Sequence, residues 1–290
     1  MEPKFRIGLF TSAWDGVACE LVLAAHRAVQ AGTIPNAEIA FVLCTREEGE
    51  TNFGDFMIQN ALKASLPLIA FSSLRFKSDL RKQGREAQRV GDPSILEIWR
   101  NEHDLEIAKH ISPTDLDVLL GYMWEFSNAM CRARKIINLH PALPTGPKGT
   151  YKEVIWELVR TRATETGVMM HLVTENLDRG SAISFCRFAI RGGAFDPLWQ
   201  EMEQRLERES LDEIAAKEGE DNPLFKLIRH EGVRREFPMM IEAIKSVVEG
   251  NIRISNETTL DSHGQVLADG YDLTREIDIA IVGKPRKEKK

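Results

Sequence analysis

Short apolar runs of strand length alternate along this chain with longer stretches of helical period. That alternation points to an α/β chain: a sheet whose neighbouring strands run parallel, with helices packed on its faces. Phe5–Thr11 reads as the first strand, and apolar residues at helical spacing from Val17 to Ala31, stopped by Gly32, predict the first helix. Glu38–Leu43 and Leu66–Phe71 read as strands around a helix over Phe53–Ala64. A long amphipathic helix follows over Asp92–His110, then strands over Asp117–Leu120 and Lys135–Leu139, and a helix over Glu153–Arg160. Gly167–Val173 and Ala182–Arg187 are strands separated by the turn Glu175–Gly180. After Pro197 the character changes: Trp199–Asp221 is acidic and reads as one solvated helix with a narrow apolar stripe. Pro223–Val248 reads as a helical stretch interrupted near Gly232 and Pro238 and ended by Gly250. A hairpin is expected around Asp261–Tyr271, and the basic end from Lys284 to Lys290 reads as a solvated tail. With no internal repeat and no low-complexity linker, residues 1–250 read as one α/β domain and 251–290 as an appendage.

Composition narrows the function classes. The chain has 290 residues, 43% hydrophobic and 28% charged, enough for a sizeable core. No apolar run approaches the roughly 18 residues that span a bilayer, so no membrane partner is expected. The N-terminus lacks the apolar stretch of a secretory signal, which favours a cytoplasmic location. Cys19, Cys44, Cys131 and Cys186 lie far apart with no C-x-x-C pair, and read as buried free thiols rather than a disulfide or zinc framework. The formal charge of −6 argues against nucleic acid as a partner.

The strongest chemical signal is Asn138-Leu139-His140-Pro141. Residues two apart on a strand share a face, and Pro141 stops the strand, so Asn138 and His140 project together near its carboxyl end. Ligands bind at that end in open α/β sheets. The alternative is a strand terminus whose Asn and His satisfy nearby backbone groups. His171 lies on the next predicted strand, which runs into an acidic, glycine-closed turn carrying Asp178. Asn, His and Asp together are the parts needed to stabilise an oxyanion and relay a proton. Ser12-Ala13-Trp14-Asp15-Gly16 sits between a strand and a helix, where backbone N–H groups hold an anion; Asp15 is equally well a helix N-cap. Gly146–Thr150 lacks the spacing of a nucleotide phosphate loop.

In Gly121-Tyr122-Met123, Asn138-Leu139-His140-Pro141-Ala142-Leu143-Pro144 and His171 through Gly180, the sequence resembles the folate-dependent formyltransferase family. It is most like the members that act on glycinamide ribonucleotide. Gly264-Gln265-Val266-Leu267 and Gly270-Tyr271 resemble the family's C-terminal hairpin. The resemblance implies a Rossmann-like, mostly parallel open sheet with helices on both faces, followed by C-terminal helices and a hairpin. It implies Asn138, His140 and Asp178 as catalytic residues, with His171 in the same network. Met123, Trp124 and Phe126 would wrap the folate, with Thr174, Glu175 and Asn176 on the opposite wall. Ser12–Gly16 would hold the substrate phosphate. The implied activity is formyl transfer from 10-formyltetrahydrofolate to the amine of glycinamide ribonucleotide in purine biosynthesis, with no metal; a homodimer remains open.

Two departures stand out. The family's compact Gly-Asn-Gly-Ser loop is replaced by Thr11-Ser12-Ala13-Trp14-Asp15-Gly16, and its ribose-facing Glu, five residues before a Pro, falls on Val233, with Glu231 and Glu236 nearby. Other acceptors such as sugar amines, hydrolysis of the formyl folate, and non-catalytic folate binding are the competing readings. Transfer to methionyl-tRNA would call for a basic domain that the acidic 196–250 region does not resemble.

Overall fold

A computed structural model describes residues 3–175, 180–255 and 257–283. The chain opens with β1 (Phe5–Thr11), α1 (Gly16–Gln30), β2 (Ala37–Cys44), α2 (Asn52–Lys63) and β3 (Leu68–Ala70). It continues with α3 (Ser78–Arg89), α4 (Ser94–Ala108), β4 (Leu116–Leu119), α5 (Asn128–Ala133), β5 (Ile136–His140) and α6 (Tyr151–Arg160). Strands β6 (Glu165–Leu172) and β7 (Ala182–Ala189) precede α7 (Phe195–Leu206), α8 (Leu211–Glu218) and α9 (Pro223–Val248). The end is β8 (Ile252–Ser255), β9 (Thr258–Asp261), β10 (Tyr271–Asp272) and α10 (Thr274–Val282).

Eight strands form one sheet in the order β10-β7-β6-β5-β4-β1-β2-β3, and β8-β9 is a separate antiparallel pair. All neighbours in the large sheet are parallel except those of β6, which runs against both β5 and β7. Strand side chains alternate between faces and two cores result. Ile7, Leu9, Leu116, Val118 and Ile137 pack with α1, α2 and α9 on one face. Phe10, Leu119 and Ile136 pack with α4 and α5 on the other. The sheet is therefore Rossmann-like and mostly parallel, with helices on both faces, as expected.

Gly8 of β1 shows how tight this is. A Cβ there would lie 2.3 Å from Asp117 Oδ1 and 2.4 Å from the Phe41 ring. The space is taken by the wholly buried carboxylate of Asp117, which accepts from Thr114 Oγ1 (2.7 Å) and from both Nε and Nη2 of Arg134.

Four local expectations change. Helix α3 was not foreseen because SDLRKQGREAQR carries almost no apolar period; it docks where Gly84 meets the Leu96 backbone, 2.8 Å from a would-be Cβ. The single acidic helix over Trp199–Asp221 is instead α7 and α8. The break comes at Ser210, whose hydroxyl and Glu213 form a capping box that starts a new helix. Trp199, Met202, Leu211 and Ile214 from this region are buried in a third core with α6. The interruption expected near Gly232 and Pro238 is absent: α9 runs through both, because Met239, Met240, Ala243 and Ile244 bury against the sheet and outweigh the local breakers. The C-terminal strand pairing begins earlier than expected, at β8-β9, with Leu260 also bridging to Val266, while β10 joins the main sheet beside β7. Leu273 and Ile277 enter the main core. Among the described residues, no helix is long and apolar enough to cross a membrane.

Candidate active site

The strand order reverses between β1 and β4, and in sheets of this kind the crevice at the reversal is where ligands settle. A cavity of about 630 Å³ opens there, of a size that suits a small molecule. Gly121, just past β4, has φ +65°, and a Cβ on it would sit 2.5 Å from Ala18 Cβ, so only glycine lets the loop turn this close to α1.

Asn138 and His140 project from β5 into this cavity on the face that carries Ile136, and His171 stands directly across from Asn138 on β6. The hydrogen bonds fix the hydrogens. His171 Nδ1 faces the Leu172 carbonyl at 3.1 Å and so donates to it, leaving Nε2 to accept from Asn138 Nδ2 at 3.1 Å. The amide is thereby held with its nitrogen toward His171, and its second N–H remains for a ligand. His140 is 3% exposed and its Nε2 donates to the Pro147 carbonyl at 3.1 Å, which leaves Nδ1 for a reacting group. The two imidazoles stand edge to face, 5.9 Å apart. Asp178 and Asn176 lie outside the described residues.

The expected folate wall is gathered here: Met123, Trp124, Phe126, Thr174 and Glu175 all line the cavity with His171. Met123 is half exposed, whereas Phe126 is buried and stacks on Tyr122 at 4.8 Å. Trp124 is anchored by its indole N–H on Thr45 Oγ1 (3.2 Å) and packs on Trp99. Behind this wall Ser73, His103 and Asp104 form a hydrogen-bonded line, 2.7 Å and 3.2 Å, that resembles a hydrolase triad. All three are buried, and Asp104 accepts the Ser127 N–H, so the line holds the β4–α5 loop in place.

The other end departs from a phosphate cradle. Ser12 is wholly buried, and its hydroxyl accepts from Met123 N–H (2.9 Å) and Thr45 Oγ1 (3.0 Å), tying three strand ends together. Ala13 adopts the left-handed region at φ +44°, uncommon for a residue with a Cβ. Of Ser12–Gly16, only Trp14 and Asp15 reach the cavity. Asp15 is the N-cap of α1, accepting from Ala18 N–H at 2.8 Å. Tyr151, Arg229 and Glu236 complete this wall. Sequence reasoning missed Tyr151 and Arg229 and named Glu236 as one of two acids near the vacated ribose position. Of those two only Glu236 lines the cavity; Glu231 pairs with Arg234 and Arg235, and Val233 is not part of the lining.

A family model described as formyl transferase matches residues 58–206, just over half of the chain. The chain belongs to the formyl transferase family. Solved structures agree on the fold. The phosphoribosylglycinamide formyltransferase of Coxiella burnetii is 19% identical with a TM-score of 0.61, covering 93% of this chain and 99% of its own. Glycinamide ribonucleotide transformylase 1 of Symbiobacterium toebii is 19% identical with a TM-score of 0.56, covering 92% and 95%. A formyltetrahydrofolate deformylase of Pseudomonas syringae pv. tomato is 16% identical with a TM-score of 0.56, covering 90% of this chain and 66% of its own. No curated protein matches the sequence.

In this formyl transferase the thiols are quiet. Burial pushes Cys19 and Cys186 up to about 12 and Cys44 and Cys131 up to about 11. An aromatic disulfide reagent at pH 8 should therefore leave the folded protein almost unreacted and titrate four thiols only after denaturation; a fast stoichiometric reaction in the native state would contradict the burial.

Glu236 is 5% exposed, and its carboxyl pKa is raised: burial dominates, the neighbouring Arg229 opposes it, and the charge of Asp15 adds to it. A raised carboxyl pKa means that its contribution to stability is complete below the ordinary carboxylate range and is lost as pH climbs through the raised value. Glu236→Gln should flatten that part of the melting-temperature profile; wild-type and variant curves that stay parallel across it would remove Glu236 as the cause.

Proposed function

We propose that this chain transfers the formyl group of 10-formyltetrahydrofolate to a primary amine. The observation that carries this reading is the pairing of Asn138 with His171 beside His140, all three lining the same cleft. The amine nitrogen bonds to the formyl carbon, that carbon's bond to the folate nitrogen breaks, and one proton passes from amine to folate nitrogen. Between these events the formyl oxygen carries negative charge. The second N–H of Asn138, whose first is held by His171, is the donor for that oxygen. His140 Nδ1 handles the proton and, when protonated, adds positive charge. Asp178, from the connection after β6, is the group assigned to orient His140. Met123, Trp124, Phe126, Thr174, Glu175 and Asn176 are assigned to the folate.

Glycinamide ribonucleotide, in purine biosynthesis, is the acceptor the resemblance implies, and the names of two fold neighbours support testing it first. A cytoplasmic location fits a reduced-folate donor. The deformylase among the neighbours supports hydrolysis as the alternative, since water in place of the amine needs the same Asn and His. Incubation with 10-formyltetrahydrofolate, with and without glycinamide ribonucleotide, decides between them by mass spectrometry. A formylated amine is the expected product; formate whatever amine is supplied would make the chain a hydrolase, and an untouched folate would end both readings.

A further inference from the structure

Ser12 and Thr45 are wholly buried and do not line the cleft, yet together they hold the wall assigned to the folate. An indole nitrogen can only donate, so the Trp124 Nε1–H is accepted by Thr45 Oγ1 at 3.2 Å. Thr45 passes its own hydrogen to Ser12 Oγ at 3.0 Å, and the other lone pair of Ser12 takes the Met123 N–H at 2.9 Å. Every bond in this relay therefore has one direction. Its backbone is equally fixed. Ser12 N–H donates to the Gly121 carbonyl and Thr45 N–H to the Thr11 carbonyl, both at 3.0 Å, across the ends of β1, β2 and β4. The hydroxyl pair is thus built into the sheet, while the groups it carries, the Met123 backbone and the Trp124 indole, belong to residues that line the cleft.

The other contacts of the Trp124 ring leave one freedom for this relay to remove. The ring packs on Trp99 at 5.2 Å between centroids, and the Arg81 guanidinium stands 5.5 Å from its centroid. Ring and cation contacts of this kind fix the plane of an indole but tolerate sliding within it. A hydrogen bond to the ring nitrogen is directional and sets the in-plane position. Resting on the transfer reading above, we propose that Thr45 and Ser12 are positioning residues for the formyl donor: they touch neither folate nor amine, and they act by holding the Trp124 indole and the Met123 backbone where the folate docks. Ser12, on the connection that would hold a substrate phosphate by resemblance, serves the donor end of the cleft instead. An indole that loses its buried acceptor turns toward water to recover a partner. For Trp124 that water is in the cleft, so the loss reaches the donor.

Thr45→Val keeps the side-chain shape and removes the hydroxyl, and Thr45→Ser restores it. In titration calorimetry of the full chain with 10-formyltetrahydrofolate, Thr45→Val should bind about tenfold more weakly, the size expected when a buried donor loses its partner. Thr45→Ser should bind like wild type. Turnover at saturating folate, read as formylated amine or formate, should stay near wild type in both, because Asn138 and His140 are untouched. In a Trp124→Phe background, which has no N–H to hold, Thr45→Val should cost little further affinity, a non-additivity that a general loss of packing does not give. Where Thr45→Val loses its circular dichroism spectrum, Ser12→Ala carries the test with the same expected split between affinity and turnover. Unchanged affinity, Thr45→Ser as weak as Thr45→Val, an undiminished loss in the Trp124→Phe background, or a fall in turnover at wild-type affinity would each overturn the inference. The coupled loss of affinity in a chain that neither formylates an amine nor releases formate would uphold the inference and overturn the transfer reading. A wild-type chain that does not bind the folate would overturn both.

Discussion

His140→Ala should lower the turnover of formyl transfer by about 100- to 10,000-fold, the range spanned by removing a positioned acid–base group. The affinity for the folate should change little, because the residues proposed to hold it lie on the β4–α5 loop and the segment after β6, apart from His140. His140→Asn serves as a second variant that can still donate to the Pro147 carbonyl, and it separates the catalytic loss from disturbance of the Pro141–Thr150 segment. Both variants should fall together in kcat while folate binding, followed by tryptophan fluorescence, persists. Wild-type turnover in either would strike His140 from the proton path, and a parallel loss of folate binding would show that its role is to hold the loop.

The largest effect on stability is expected at the opposite end of the sheet. Arg134→Met leaves the wholly buried Asp117 carboxylate with only Thr114 and its own backbone surroundings, and stranding a buried charge in this way costs about 3–5 kcal/mol. The urea midpoint should drop accordingly. Adding Asp117→Leu in the same chain removes the stranded charge and should recover much of the loss, since apolar replacement of a whole buried pair is often neutral or better. A single variant as stable as wild type, or a double variant with no recovery, would show that the pair contributes little. Gly8 limits how well leucine fits, so full recovery is not expected.

The architecture was legible because the central parallel strands β1 and β4 are largely buried on both faces and read as short apolar runs between turn formers, as Phe5–Thr11 does. Elements whose stability comes from partners were not. Helix α3 is held by the approach of Gly84 to α4, and α9 persists through Pro238 because its far half is core; neither fact is local. The same division runs through the cleft. Asn138 and His140 declare themselves by spacing two apart before a proline. Their relation to His171 depends on the antiparallel register of β5 with β6, which no spacing reveals. Tyr151 and Arg229 look like ordinary helix residues until α6 and α9 are brought round the same cavity as Trp14 and Asp15. Asp15 had two readings of equal standing, and the bond to Ala18 N–H selects the cap.

Helix α9 spans 26 residues, roughly 39 Å at 1.5 Å per residue, and it supplies to the cleft Arg229, roughly three turns ahead of the core residues Met239, Met240 and Ala243, and Glu236, less than one turn ahead of Met239. Evolution toward a new acceptor would therefore meet resistance along this rod, because each change on it also tests whether the chain still folds. Trp14, exposed on the β1–α1 connection, carries no such double duty, whereas its neighbour Asp15 also caps α1. Diversification of substrate range among descendants of this protein should be written first into that connection, with the rod following only after the fold has gained stability to spare.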